Sequence, residues 1–240
     1  MKKLSLLTLA AAGGLLISGG ISGTALAAST STANTDATAS FTDNTDPTNP
    51  VDPEDPDIDN PGGGGETENP GPLSLDYASN LDFGTNAVPK TNTTYTAKDD
   101  HNKDGSTTFA NYAQVTDQRS GAVKGWSLTV SEDAQFKAAK SGTELTGAEL
   151  SLGKGTTKTT SDNSATGGTV TSSEAKLSTD GATTQVMNAA TGNGFGTWVD
   201  SFGTKDNSSV KLMVPAAAHP EADAYNTTLT WNLEDTPANA

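Results

Sequence analysis

A Trp-x-Leu unit occurs twice in this chain, each time inside a period-two pattern that suits a β-strand. In Ala224–Leu233, Tyr225, Thr227, Leu229, Trp231 and Leu233 fall on one face and Asn226, Thr228, Thr230 and Asn232 on the other. A helix would place a Trp and a Leu two positions apart on different faces, whereas a half-buried strand places them together. Gly125–Val130 carries the other copy, with Trp126, Leu128 and Val130 sharing a face. Two matched strands, one of them almost at the C-terminus, predict an all-β fold closed by its last strand. The expected architecture is a single-domain β-sandwich over residues 73–240.

Further strands are expected at 73–77, 109–116, 149–152, 183–187 and 210–214, where short apolar alternations recur. One helix-like piece, 133–140, is short and ends just before Gly142. The Thr-, Gly- and Lys-rich stretch 153–168 reads as a polar loop at a hairpin tip.

Upstream, Met1-Lys2-Lys3, a glycine-interrupted apolar run and Ala25-Leu26-Ala27 make residues 1–27 an expected signal peptide, with the mature chain beginning at Ala28. Gly13-Gly14 and Gly19-Gly20 break the run, which argues against a membrane anchor. There is no cysteine, so disulfides and thiolate metal sites are excluded. Export without cysteine suits a bacterial surface better than a eukaryotic secretory route.

Residues 28–72 hold ten acids, no Lys or Arg, and seven of the eleven prolines. Such a segment buries too little apolar surface to offset its ordering entropy, so a disordered acidic Pro/Gly linker is expected. Prolines 47, 50, 53 and 56 match the three-residue turn of polyproline II, which would extend the stretch 46–61 to roughly 50 Å before the glycines 62–65. A spacer is the favoured reading, an acidic ligand for a partner the other.

The formal charge is −15, and residues 73–240 alone carry 19 acids against 12 bases. So acidic a chain does not supply the basic patches that nucleic-acid phosphates require, which argues against a nucleic-acid partner. No LPxTG-type sorting signal or C-terminal apolar span is read, so retention on a cell is expected to fall to the folded domain. Anionic wall polymers would repel it at long range, leaving hydrogen bonds, stacking on sugar faces or bridging cations to hold it.

Each tryptophan has two readings, core or ligand platform. Trp126, with Leu128, and Trp231, with Leu233, favour the core because their faces are otherwise apolar. Trp198 follows Gly192, Gly194 and Gly196, so a loop or bulge is as good a setting for it, with Phe195 nearby. Asp117 and Arg119 have the parity to pair, though solvation of the face is favoured. Asp100, Asn102 and Asp104, followed by Gly105, begin like a calcium loop, but Asn111 stands where the bidentate Glu is needed, so an acidic surface turn is preferred. Histidines 101 and 219 lie in different polar loops, and no nucleophile motif accompanies them. Binding protein, not enzyme, is the expected class.

The ordered set Leu81-Asp-Phe-Gly84, Val115–Arg119, Gly125–Val130, Leu145–Ala148, Gly194–Trp198, Leu212–Pro215 and Tyr225–Leu233 resembles the WxL domain, the C-terminal wall-binding module of Gram-positive surface proteins. The resemblance implies a secreted, wall-associated protein held non-covalently through peptidoglycan. It also implies partnership with membrane-anchored WxL-interacting proteins and with other WxL proteins. A wall-binding module and an assembly subunit held by such a partner therefore both stay open.

Overall fold

The apolar alternations resolve into three antiparallel four-stranded sheets. In chain order the strands are β1 (Leu73–Ala78), β2 (Thr93–Thr96), β3 (Tyr112–Asp117), β4 (Trp126–Glu132), β5 (Glu149–Leu152) and β6 (Thr156–Thr159). They continue with β7 (Val170–Ser172), β8 (Ala175–Lys176), β9 (Thr184–Ala189), β10 (Gly196–Ser201), β11 (Val210–Val214) and β12 (Leu229–Glu234). The first sheet runs β1-β3-β10-β6, the second β7-β9-β4-β12 and the third β8-β5-β11-β2. This computed structural model describes residues 31–60 and 63–238, so the expected leader at 1–27 lies outside the described residues. Phe41–Ala240 form one unit; of the unit before it, residues 31–40 are exposed and without regular structure.

Inward side chains from all three sheets meet in one core. Trp126, Leu128 and Val130 of β4 join Val115, Trp198, Leu150 and Leu212 in a single buried cluster. The two Trp-x-Leu strands are direct neighbours, with Trp231 opposite Val130 and Leu233 opposite Leu128. Among the described residues the sole helical element is a short 3-10 turn, Ala216–Ala218. The all-β expectation therefore holds, in the form of three sheets around a shared core.

Strand β3 is buried along its whole length, on both faces. Ala113 and Val115 face the main core, while Tyr112 joins Val51, Tyr77, Phe109 and Val199 in a second, smaller cluster. Tyr77 reaches that cluster because the β1–β3 register shifts between Leu75 and Tyr77, and a bulge turns the following side chain to the opposite face. Its ring then stacks on Tyr112 at 4.4 Å.

What covers this outer face is the proline-rich segment expected to lack fixed structure. Pro50, Val51, Pro53, Pro56 and Asn60 are buried, and the chain doubles back so that Val51 bridges Asp59 instead of running on as a straight polyproline rod. The buried Gln114 amide accepts from the Val51 N–H at 2.8 Å and donates to the Asn49 carbonyl at 3.0 Å. Ser201 donates to the Pro53 carbonyl at 3.1 Å. Residues 65–67 then pair along β1, where Thr67 N–H donates to Asp76 O at 3.0 Å, so the sheet edge is covered. Composition misleads here because the segment's few apolar groups, Val51 and the prolines, pack on apolar surface that the sheet provides.

Two other expectations change. Residues 133–140 are not helical; Lys137–Ala138 pair with Tyr225–Asn226, and Phe136 and Ala138 alternate inward as a strand requires. Within 153–168, Thr156–Thr159 form edge strand β6, because Thr157 and Thr159 hydroxyls donate to the Val170 and Thr197 carbonyls. A strand with hydroxyls in place of apolar contacts leaves no hydrophobic alternation to read.

A broad-specificity protease should remove residues before 41 and stop short of the 43–60 strap. The resistant fragment, read by mass spectrometry, is expected to begin between 41 and 43. A fragment beginning near 73 would contradict the strap.

Candidate functional site

Two indoles pin one glycine-rich loop. The Trp126 Nε1–H donates to the Gly194 carbonyl at 2.9 Å, and the Trp198 Nε1–H donates to the Phe195 carbonyl at 3.0 Å. Both rings are buried, Trp126 wholly and Trp198 at 5 % exposure, so each polar N–H needs the partner it has. The loop reaches them only because Gly194 takes φ +87°; a Cβ there would lie 2.5 Å from Trp126 Nε1. Trp198 is thus core, not a loop-presented ring, while Phe195 is half-buried beside it. Leu128 is fully buried as well.

A second clamp ties the Trp-x-Leu strands to the end of β3. Arg119 donates to both Asp117 oxygens, at 2.9 Å from Nε and 2.8 Å from Nη2. It also reaches the Gly125 carbonyl at 2.7 Å and the Asp235 carbonyl at 3.2 Å, just before one Trp-x-Leu strand and just after the other. Side-chain exposures of 12 % and 2 % make this a desolvated bidentate pair, not the solvated surface charges expected. Removing the arginine would strand a buried Asp117 charge.

With Trp126, Leu128 and Trp198 enclosed, the sequence-chosen residues that remain reachable are Trp231, Leu233 and Phe195. Strand β12 alternates half-buried Leu229, Trp231 and Leu233 with exposed Thr230, Asn232 and Glu234. Trp231 is not wholly core: one side of its ring stacks on Phe202 at 6.3 Å, and the remainder is open. The strand pairs only with β4, and among the described residues no strand bonds its other edge. An apolar row next to unpaired main-chain groups is a surface that can bind.

The loop at Asp100–Ser106 closes on itself. Asp100 turns inward to accept from the Tyr77 hydroxyl at 2.8 Å, Asn102 accepts from the Thr107 N–H, and Asp104 accepts from the Ser106 N–H. These bonds make a hairpin turn between 100–101 and 108–109, where a calcium loop would need the carboxylates to converge. Among the described residues no three His, Cys, Asp or Glu side chains gather as a metal site. His101 lies in this turn and His219 after the 3-10 turn, both exposed.

Three buried carboxyls escaped the sequence reading. Glu132 is 1 % exposed with neither oxygen hydrogen-bonded, and burial pushes it up to about 7. Asp200 is fully buried and also pushed up to about 7, burial outweighing its bond from the Ser172 hydroxyl at 2.7 Å. Asp76 rises to about 6, burial outweighing bonds from Ser74, Thr116 and Gln114. Parity was the available signal: Glu132 ends the row Trp126-Leu128-Val130, and Asp200 lies between Trp198 and Phe202 on the same face.

A family model described as "WxL domain surface cell wall-binding" matches residues 28–237, a span that includes the strap. No curated protein and no solved structure matches the chain.

The three buried carboxyls set a direction for stability against pH. Between the ordinary carboxyl value near ~4 and their raised values, the folded chain holds more protons than the unfolded one, so stability falls as pH rises through this window. The melting temperature should therefore climb as pH drops from 8 to 5, by the equivalent of a few kcal/mol. Asp200→Asn, neutral at every pH, should flatten part of that slope and stabilise the protein at pH 8. A melting temperature that falls from pH 8 to 5 would contradict the burial of these groups.

Proposed function

The chain belongs to the WxL domain surface cell wall-binding family, and from that premise we propose that its wall contact is made by the C-terminal strand β12. The protein binds the cell wall non-covalently and resides at the cell surface. Its family is one of wall-binding domains, and among the described residues no helix is long and apolar enough to cross a membrane. Residues 1–27 serve as the export signal in this reading, and the protein itself carries out no catalysis.

The observation that carries the proposal is the half-open row Leu229–Trp231–Leu233 beside an unpaired strand edge. Peptidoglycan is the ligand it suits. The exposed part of the Trp231 ring offers a flat apolar face for a sugar ring, and the strand's free N–H and C=O groups can pair with a stem peptide. Net charge supports contact of short range, because an acidic domain gains nothing from long-range attraction to an anionic wall. The other Trp-x-Leu tryptophan is the architectural member of the pair.

The same free edge favours a second reading, in which a membrane-anchored WxL-interacting protein or another WxL protein adds a strand to β12. Main-chain pairing of this kind recognises an extended partner with little regard for net charge.

Sedimentation with purified peptidoglycan distinguishes the tryptophans. Trp231→Ala should lose about 1–2 kcal/mol of stability, remain folded, and pellet with affinity lowered about tenfold or more. Trp126→Ala should cost roughly 3–5 kcal/mol and lose binding by unfolding. Monovalent salt should leave wild-type binding unchanged or strengthen it as repulsion is screened. Wild-type affinity in folded Trp231→Ala would move the contact elsewhere. Binding seen only when wall or membrane proteins are restored would favour the assembly reading.

A further inference from the structure

The strap is bound as a peptide ligand is bound. Its main chain is gripped at three alternate positions: the Asn49 carbonyl, the Val51 N–H and the Pro53 carbonyl. The grip comes from the side chains of Gln114 and Ser201, which are 0 % and 4 % exposed and lie on neighbouring strands β3 and β10. The same Gln114 amide donates to Asp76 on neighbouring strand β1 at 3.0 Å, so one buried side chain ties the sheet to the strap's backbone. Pro50, Pro53 and Pro56 are all buried there, in a segment that turns back so that Val51 bridges Asp59.

It reads charge as well. The Asp43 carboxylate accepts from the Ser120 N–H at 2.7 Å, Glu54 from the Lys205 N–H at 2.8 Å, and Asp57 from the Ser161 N–H at 2.7 Å. Lys158 adds its ammonium to the Glu54 carbonyl at 2.5 Å. Three carboxylates seated on main-chain donors, with a lysine beside them, select an acidic ligand over a neutral or basic one.

We propose that the outer face of the first sheet, built on Gln114 and Ser201, is a receptor groove for an acidic, proline-bearing peptide that turns back on itself, and that the 43–60 segment of a second copy of this chain can replace the resident one. Such an exchange creates no new contact and breaks none, so its two forms differ only in how the chain is connected; this is the low-cost route by which identical segments link protomers. The tethered segment competes at an effective concentration of about millimolar. Exchange is therefore suppressed in dilute solution and promoted where copies are crowded on one surface.

The test uses the full chain with a protease site inserted between Asn60 and Gly63. After cleavage the strap should remain seated on dilution to micromolar concentration, and a fluorescent peptide of residues 41–60 should displace it. The same peptide carrying Val51→Asp should compete at least tenfold less well, a comparison that leaves the receptor untouched. In the receptor, Gln114→Leu should weaken the wild-type peptide by at least tenfold with its near-UV spectrum retained. Uncut chains bearing two different tags should co-purify after incubation near millimolar concentration and not after incubation at micromolar. No displacement, or equal competition by the Val51→Asp peptide, would overturn the receptor groove. Displacement without co-purification at millimolar concentration would overturn the second copy as its occupant.

Discussion

The fold depends on satisfying two buried indole N–H groups with carbonyls from one short loop. Trp126 and Trp198 come from strands in different sheets, yet their donors end on adjacent residues, Gly194 and Phe195. Each ring brings a large apolar area into the core, and its burial tolerates no unpaired N–H. The close approach to Trp126 requires glycine at 194, where a Cβ would lie 2.5 Å from the indole nitrogen, while glycine at 196 makes room for the Asn163 side chain. The Arg119 clamp does the same for the flanks of the Trp-x-Leu strands, joining Asp117, Gly125 and Asp235. Much of what marks the family in this sequence is therefore wiring of the core.

A central strand buried on both faces imposes the second constraint. Strand β3 needs a cover for Tyr112, Gln114 and Thr116 as much as a core for Ala113 and Val115. The strap supplies it with few main-chain donors to satisfy, because its prolines have no N–H, Gln114 and Ser201 take up three of its main-chain groups, and Asp52 and Asn60 bond within the strap. The folded unit accordingly begins well before the first regular strand.

Strands with apolar alternation were legible in the sequence: 126–132, 149–152 and 210–214 lie where period two placed them. Strand β6 was not, since its threonines are held by hydroxyl bonds and leave no hydrophobic period. The strap was not legible either, because composition measures what a segment can bury of itself and says nothing of the sheet it covers. Of the site residues, Trp126 and Leu128 follow from parity with Val130. The different fates of Trp198 and Trp231 turn on tertiary facts, namely the loop that caps one ring and the missing neighbour strand beside the other. Glu132 and Asp200 were visible as charges on apolar faces, and what their burial does to them required the packing around each carboxyl.

The central claim is a division of labour between two copies of one motif: Trp126 holds the core, and Trp231, on the open edge, meets the wall. Indole resonances of the 15N-labelled protein test it most directly, since three tryptophans give three signals. On titration with soluble peptidoglycan fragments, the account predicts that the Trp231 indole shifts, while the Trp126 and Trp198 indoles stay in place and remain slow to exchange with solvent. Fragment-induced shifts centred on Trp126 or Trp198, with Trp231 unmoved, would contradict it.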